Sequence, residues 1–286
     1  MHHFLACLAG RITTGTGLLA VGLTFVMTAP SHAAANETNP VFAWPGGARA
    51  AVSLAYDDAL DSQLDNAVPA LDRHGLKGTF YLKLSSPVVD ARMADWRAAA
   101  SNGHELGNHS LFHQCSGAGP DRAWVAPHQD LDTTSREQMR DQVLLASTML
   151  TALDGQRERT YTAPCFDVKA QDGDYLPPLH ASFVAIKAGS GPGVPLSMKT
   201  LDPYRVPAVA PVGSSGAQLI ALVKQAAQHG TMVAFTFHGI GGDHLSVSTQ
   251  AHEELLRFLA AHRNEYWTDT FLNIMKHVRR EQPAAR

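Results

Sequence analysis

Residues 48–58 read ARAAVSLAYDD, and this stretch frames the rest of the chain. From Ala50 onward it is nearly all small and apolar, fit for a buried strand, and it runs directly into two carboxylates, Asp57 and Asp58. Residues 61–73 then place Leu64, Val68 and Leu71 at helical spacing, and Gly75 follows as a stop. The alternation continues. Strands are predicted at residues 78–84, 104–107, 159–163, 182–186 and 231–237. Helices are predicted at 93–101, 133–153, 216–228 and 249–263, and a last strand-helix unit begins near Tyr266. The long helix carries Met139, Val143, Ala146 and Leu150 on one face. Strands alternating with helices of this length imply parallel pairing through right-handed crossovers, hence an α/β fold whose ligand sites gather at the carboxyl ends of strands.

The polar residues predicted at those ends form a short list: Asp57 and Asp58, His109 and His113, Pro164 and Cys165, and His238. Adjacent carboxylates on extended backbone point in different directions, so one can bind a metal while the other faces a reacting water. Taken alone, an Asp-Asp pair is more often a helix cap. His109 and His113 stand four residues apart, neighbours on one helical face and within reach of one cation. One Asp and two His leave open coordination positions, the pattern of a catalytic rather than structural zinc. His238 closes the apolar run Val233-Ala-Phe-Thr-Phe237 and precedes a glycine-rich loop, which suits a general acid beside a substrate.

Composition narrows the function classes. The chain has 286 residues, 45% hydrophobic and 17% charged, which supports a large core and argues against global disorder. A net charge of −3 without a long basic run argues against nucleic acid or an anionic membrane as partner. Residues 1–35 read as an export signal: Arg11 precedes an apolar stretch from Gly17 to Met27, and small residues follow at Ser31, Ala33, Ala34 and Ala35. That stretch is shorter than the roughly 20 residues a membrane-spanning helix needs, so a cleaved signal and a periplasmic or secreted protein are expected, with an uncleaved anchor as the alternative. Residues 36–286 carry no repeat, low-complexity tract or linker and read as a single domain. Of three cysteines, Cys7 falls in the signal, which leaves Cys115 and Cys165 either as a bridge near the site or as two buried thiols.

These motifs, in this order, resemble the polysaccharide deacetylases, carbohydrate esterase family 4, which share the NodB homology domain. Tyr56-Asp57-Asp58-Ala59 is similar to the family's T-F-D-D-G, residues 103–113 (GHELGNHSLFH) to its G-H-E-I-G-N-H-T-x-x-H, and Phe235-Thr-Phe-His238 to its L-x-L-H. The resemblance spans residues 48 to about 271. It implies a distorted (β/α)7-type barrel and metal-assisted removal of acetyl groups from an acetylated carbohydrate. Asp58, His109 and His113 would hold Zn²⁺ or another divalent metal, Asp57 would be the general base and His238 the general acid. Cys165, beside Pro164, would supply the backbone N–H of the oxyanion site.

Two departures stand out. Where the family's third motif reads R-P-P-Y, this chain has Thr162-Ala-Pro-Cys165, so the arginine that contacts the base is missing; Arg159 or Arg205 could replace it, though each reads more simply as a surface charge. The family's D-x-x-D-W is not recognisable, and Asp202 is the one candidate to support His238. Trp124 and Trp267 could stack on a sugar ring, with core packing as the competing account. Trp44 and Trp96 read as packing residues, and His128, His180, His229, His252, His262 and His277 as solvated, with His244 outside the pocket. The leading expectation is deacetylation of an N-acetyl rather than O-acetyl carbohydrate. Hydrolysis of a non-sugar amide on the same metal, or a non-catalytic carbohydrate-binding barrel, are the rivals. Oligomeric state is not fixed by the sequence.

Overall fold

The parallel sheet follows from the alternation of apolar strands and amphipathic helices, and a computed structural model describes it over residues 42–119, 121–189 and 193–282. The export signal expected at residues 1–35 lies outside the described residues. The elements run β1 (Ala50–Asp57), a π-helical turn (Gln63–Ala67), α1 (Val68–Arg73), β2 (Thr79–Leu82), α2 (Pro87–Ala91), α3 (Met93–Ser101) and β3 (Glu105–Asn108). Then come α4 (Arg136–Asp154), β4 (Thr160–Thr162), a small hairpin of β5 (Lys169–Ala170) and β6 (Gly173–Asp174), β7 (Ala185–Gly189) and β8 (Val206–Pro207). The chain closes with α5 (Gly216–His229), β9 (Met232–Phe237), α6 (Thr249–Ala261), β10 (Tyr266–Asp269) and α7 (Phe271–Glu281). Among the described residues, no helix is long and apolar enough to cross a membrane.

Seven parallel strands run β9-β1-β2-β3-β4-β7-β8 and nearly close, a distorted (β/α)7 barrel. Beyond β8, Val209 bridges back to β9: its N–H donates to Ala234 O at 2.9 Å, and Thr236 N–H donates to its carbonyl at 2.7 Å. An eighth strand, β10, pairs only with the amino half of β1, from Ala50↔Tyr266 to Ser53↔Asp269. The carboxyl half of β1 pairs instead with β2, up to Asp57↔Tyr81.

Alternation along each strand sorts the core. Val52, Leu54 and Tyr56 of β1 face the helices with Leu219, Val223, Leu255 and Leu259, whereas Ala51 and Ala55 face the barrel interior. That interior is unusually polar for a core. Glu105 accepts from Thr79 Oγ1 (2.8 Å), Thr160 Oγ1 (2.5 Å) and Leu272 N (2.9 Å), and Tyr81 OH bonds Thr160 Oγ1 at 2.7 Å. Tyr81 can lie across the barrel because residue 107 is glycine: a Cβ there would sit 2.4 Å from the tyrosine ring.

Several sequence expectations shift. The helix predicted at residues 61–73 begins as a π-helical turn, because Pro69 has no N–H to continue an α ladder. The strand predicted at 182–186 instead spans Ala185–Gly189 and runs through a buried lysine, Lys187. Two histidines expected in solvent are buried. His277 donates from Nε2 to Ala43 O (2.6 Å) beneath Trp44 and Trp267, and His252 meets Tyr56 OH at 2.7 Å beside Phe237.

Burial pulls His252 down to about 4 from its ordinary 6.5. A depressed histidine stabilises the fold fully above pH 6.5 and loses that contribution as pH falls toward 4, where the unfolded chain binds the extra proton. The shift corresponds to on the order of 3 kcal/mol. Urea titrations should therefore show stability falling between pH 6.5 and 4, with a visibly shallower fall in His252→Gln; an unchanged slope in that variant would assign the loss to other groups.

Candidate metal centre and active site

The carboxyl ends of β1, β3, β4 and β9 meet at one cavity of about 670 Å³, lined by Asp57, Asp58, His109, His113, Cys165 and His238 among others. Asp58 leaves the strand in the left-handed region (φ 85°), as does Ala59 (φ 57°), so the chain turns sharply just where the second carboxylate is needed. His109 sits one residue past β3, its N–H bonded to Leu82 O of β2 at 3.2 Å. The loop to His113 is not helical, in contrast to the one-face reading of the histidine pair. Ser110 and His113 both have positive φ (63° and 59°), and the turn is held by Ser110 N to Asn108 Oδ1 (2.7 Å) and His113 N to Ser110 Oγ (2.9 Å). The two imidazoles nevertheless converge.

Asp58 Oδ1 lies 3.4 Å from His109 Nε2 and 3.2 Å from His113 Nε2, and this buried oxygen has no hydrogen-bond partner. Two atoms each about 2.1 Å from one tetrahedral zinc stand about 3.4 Å apart, so the spacing suits a shared cation. The histidine tautomer suits it too. His109 Nδ1–H donates to Thr162 O at 2.9 Å, which leaves Nε2 as the free lone pair. His113 Nδ1 lies 3.6 Å from the Cys115 sulfur. One Asp and two His are thus a fitting donor set for a divalent metal, and they form one of two such clusters among the described residues. The other, His113 with Cys115 and Cys165, is tied up by a disulfide between the two cysteines. Burial pushes the Asp58 carboxyl upward, yet the neighbouring imidazoles of His109 and His113 and the hydrogen bond from His244 hold it well below the usual carboxylate range.

His244 was expected outside the pocket, but it lines it and donates from Nε2 to Asp58 Oδ2 at 2.8 Å. The glycine-rich loop brings it there. A side chain at Gly239 would strike Gly242 O at 1.9 Å, and the loop is pinned by Ser62 N to Asp243 Oδ2 (2.9 Å) and Asn66 Nδ2 to Ile240 O (2.7 Å). Asp58 therefore presents one oxygen to the two imidazoles and the other to a fixed donor.

Asp57 and His238 flank this cluster. Asp57 Oδ2 is 3.9 Å from His109 Nε2, and its Oδ1 accepts from Lys187 Nζ at 3.3 Å. His238 Nε2 is 3.9 Å from Asp58 Oδ2; burial lowers this histidine against the pull of Asp57 and Asp58. The two strand ends are tied by Gln63, whose amide donates to Asp57 O (2.6 Å) and His238 O (3.2 Å). Gln63 and Lys187 carry no motif signal that sequence reading could have used.

The residues considered as replacements for the family's missing partners lie elsewhere. Arg159 is not a surface charge: it is buried, bonded to Leu106 O (2.8 Å) and Asp154 Oδ2 (2.9 Å). Arg205 pairs with Asp174, and Asp202 accepts from Tyr204 N (2.8 Å). His238 Nδ1 is buried without a partner, so no carboxylate supports it among the described residues. Trp124 stands at the cavity mouth, 58% exposed, 6.4 Å from the His113 ring and beneath the Arg122 guanidinium. Trp267 is remote: β10 pairs at the amino half of β1, and the indole packs on Trp44 (6.0 Å) and His277 (5.4 Å). Pro164 is buried next to Cys165, which lines the cavity with φ 55° and, among the described residues, donates its N–H to no backbone acceptor.

Sequence comparison meets this geometry. A family model for polysaccharide deacetylases matches residues 45–171, the stretch holding Asp57, Asp58, His109 and His113. Over those residues the chain is similar to the polysaccharide deacetylase family. No functionally curated protein matches the chain. Solved polysaccharide deacetylases share the fold. A probable polysaccharide deacetylase from Pseudomonas aeruginosa PAO1 is 14% identical at TM-score 0.59, covering 87% of this chain and 97% of its own. The peptidoglycan deacetylase PdaC from Bacillus subtilis is 14% identical at TM-score 0.51, covering 81% and 92%. The Xyl-CE4 domain of a multidomain xylanase from the hindgut metagenome of Trinervitermes trinervoides is 17% identical at TM-score 0.50, covering 79% and 89%.

Two measurements check the surroundings of the cluster. Competition with a chromogenic chelator should show zinc bound about 10- to 100-fold more weakly in His244→Ala, because Asp58 loses its orienting donor; unchanged affinity would make the contact incidental. The Cys115–Cys165 bridge closes a loop with a sequence separation of 50. Replacing both cysteines by serine should cost about 4 kcal/mol in denaturant unfolding by loop-closure entropy, and a loss under about 1 kcal/mol would contradict that estimate.

Proposed function

We propose that the chain is an exported, divalent-metal-dependent hydrolase that removes acetyl groups from a carbohydrate, N-acetyl in preference to O-acetyl. The observation that carries this reading is the unpartnered oxygen of Asp58 facing two imidazole nitrogens, with Asp57 on one side and His238 on the other. When bound at these three ligands, a divalent ion such as Zn²⁺ supplies polarisation of the acetyl carbonyl and a water of lowered pKa.

The chain's own groups do the rest. Asp57 Oδ2 takes a proton from the attacking water as the new carbon–oxygen bond forms. The Cys165 N–H stands ready to donate to the oxyanion, since no backbone acceptor among the described residues claims it. His238 donates its proton to the leaving nitrogen as the carbon–nitrogen bond breaks, and acetic acid and a free amine leave, the acid ionising in solvent; Asp57 then gives its proton to solvent and His238 takes one back from it. An amine cannot leave as an anion, so a dedicated acid beside the cluster favours the amide. Trp124 at the mouth offers an exposed aromatic face for the C–H face of a pyranose. The likeness to a peptidoglycan deacetylase and to a xylanase-associated domain makes acetylated glycans of either kind suitable first substrates.

Zinc-loaded protein should release acetate from at least one of chito-oligosaccharides, peptidoglycan fragments or acetylated xylan. A chelator should abolish the release, and Asp57→Ala should lower kcat by about 100- to 10,000-fold. No acetate from any of the three, with metal bound, would defeat the proposal.

A further inference from the structure

The cation missing from the third motif has a counterpart one strand away. Thr162 occupies the position where the family's arginine would stand, and in the pairing of β4 with β7 its direct partner is Lys187. Strand alternation turns Ile186 toward the helices and Lys187 into the barrel, where it is fully buried. Its ammonium has three donors and meets three acceptors: Asp57 Oδ1 from β1 at 3.3 Å, Thr236 Oγ1 from β9 at 2.7 Å and the face of Tyr81 from β2, 4.3 Å from the ring centroid. An ammonium held this deep is costly unless a carboxylate neutralises it, and Asp57 is the carboxylate in its salt bridge.

The division of labour at Asp57 gives the contact its meaning. Oδ1 is engaged by Lys187, and Oδ2 is directed toward the His109 side of the ligand cluster. We propose that Lys187 is the positioning residue of Asp57, a cation transposed from β4 to β7 that fixes which carboxylate oxygen faces the attacking water. The inference rests on the base role given to Asp57 above. Lys187 does not touch Asp58, His109 or His113 through any hydrogen bond or ion pair, so it acts on the base and not on the metal ligands.

Lys187→Met removes the charge at nearly constant length. Its kcat should fall by about 100-fold while KM and zinc affinity stay within about threefold. In an Asp57→Asn background the same substitution should change the residual rate by less than about threefold, because the group it serves is already gone. A crystal structure of zinc-loaded Lys187→Met should show the Asp57 carboxylate rotated away from the cluster, with its wild-type orientation kept in Lys187→Arg. A carboxylate unmoved in the Met variant, a kcat loss that adds in full to that of Asp57→Asn, or a loss of zinc affinity in place of kcat would each overturn the proposal. Failure of both the Met and Arg variants to fold would overturn it too, by placing Lys187 in folding rather than in aiming the base. If wild-type protein is silent on every acetylated glycan, the functional reading falls, and the orientation of Asp57 in the Met variant still decides the role of Lys187.

Discussion

A buried carboxylate oxygen without a donor is among the more costly features a core can carry, and Asp58 Oδ1 is one, set between two imidazole nitrogens at 3.2 and 3.4 Å. A shared cation would resolve that cost, and the surrounding architecture keeps the three atoms together. Parallel register brings the ends of β1, β2 and β3 level, left-handed backbone at Asp58 and His113 turns both side chains inward, and the disulfide fastens the His113 loop to the Cys165 turn. The site is a property of strand ends, assembled only once the parallel sheet has formed.

The polar barrel interior is the second feature that distinguishes this chain. Small residues, Ala51 and Ala55 on β1 and Gly107 on β3, leave room for long side chains from neighbouring strands, and Tyr81, Lys187 and Glu105 use it. Burial pushes Glu105 upward and Lys187 downward from their usual ranges, each moderated by its bonding partners. The result is a polar column, hydrogen-bonded from the start of α7 through Glu105 and Thr160 to Tyr81, whose ring face meets Lys187, itself bonded to Asp57. Such a column gives Asp57, the proposed general base, a rigid backing that a purely apolar core could not.

Much of this was legible locally. An apolar run ending in Asp57-Asp58, a glycine-bounded entry to His109 and a strand closing at His238 each announce a strand end in a few residues, and the element order follows from hydrophobic periodicity. What stayed hidden depends on pairing between distant strands. Lys187 reads as the end of a strand because charge normally marks the surface; only the β4–β7 register shows it inside. Trp267 reads as a rim residue until β10 is seen to pair at the far half of β1. His252, His277 and Arg159 are buried by partners far away or on another element, and His244 reaches Asp58 across 186 residues through a loop whose path is set by glycine. Polar residues buried by long-range contacts carry no periodic signature, so composition assigns them to solvent.

The most direct test of the account is anomalous diffraction at the zinc edge from crystals soaked in zinc. It should give one strong peak within about 2.0–2.2 Å of Asp58 Oδ1, His109 Nε2 and His113 Nε2 together. A peak bound elsewhere, or none at this cluster at saturating zinc, would contradict the central claim that these three atoms hold one metal.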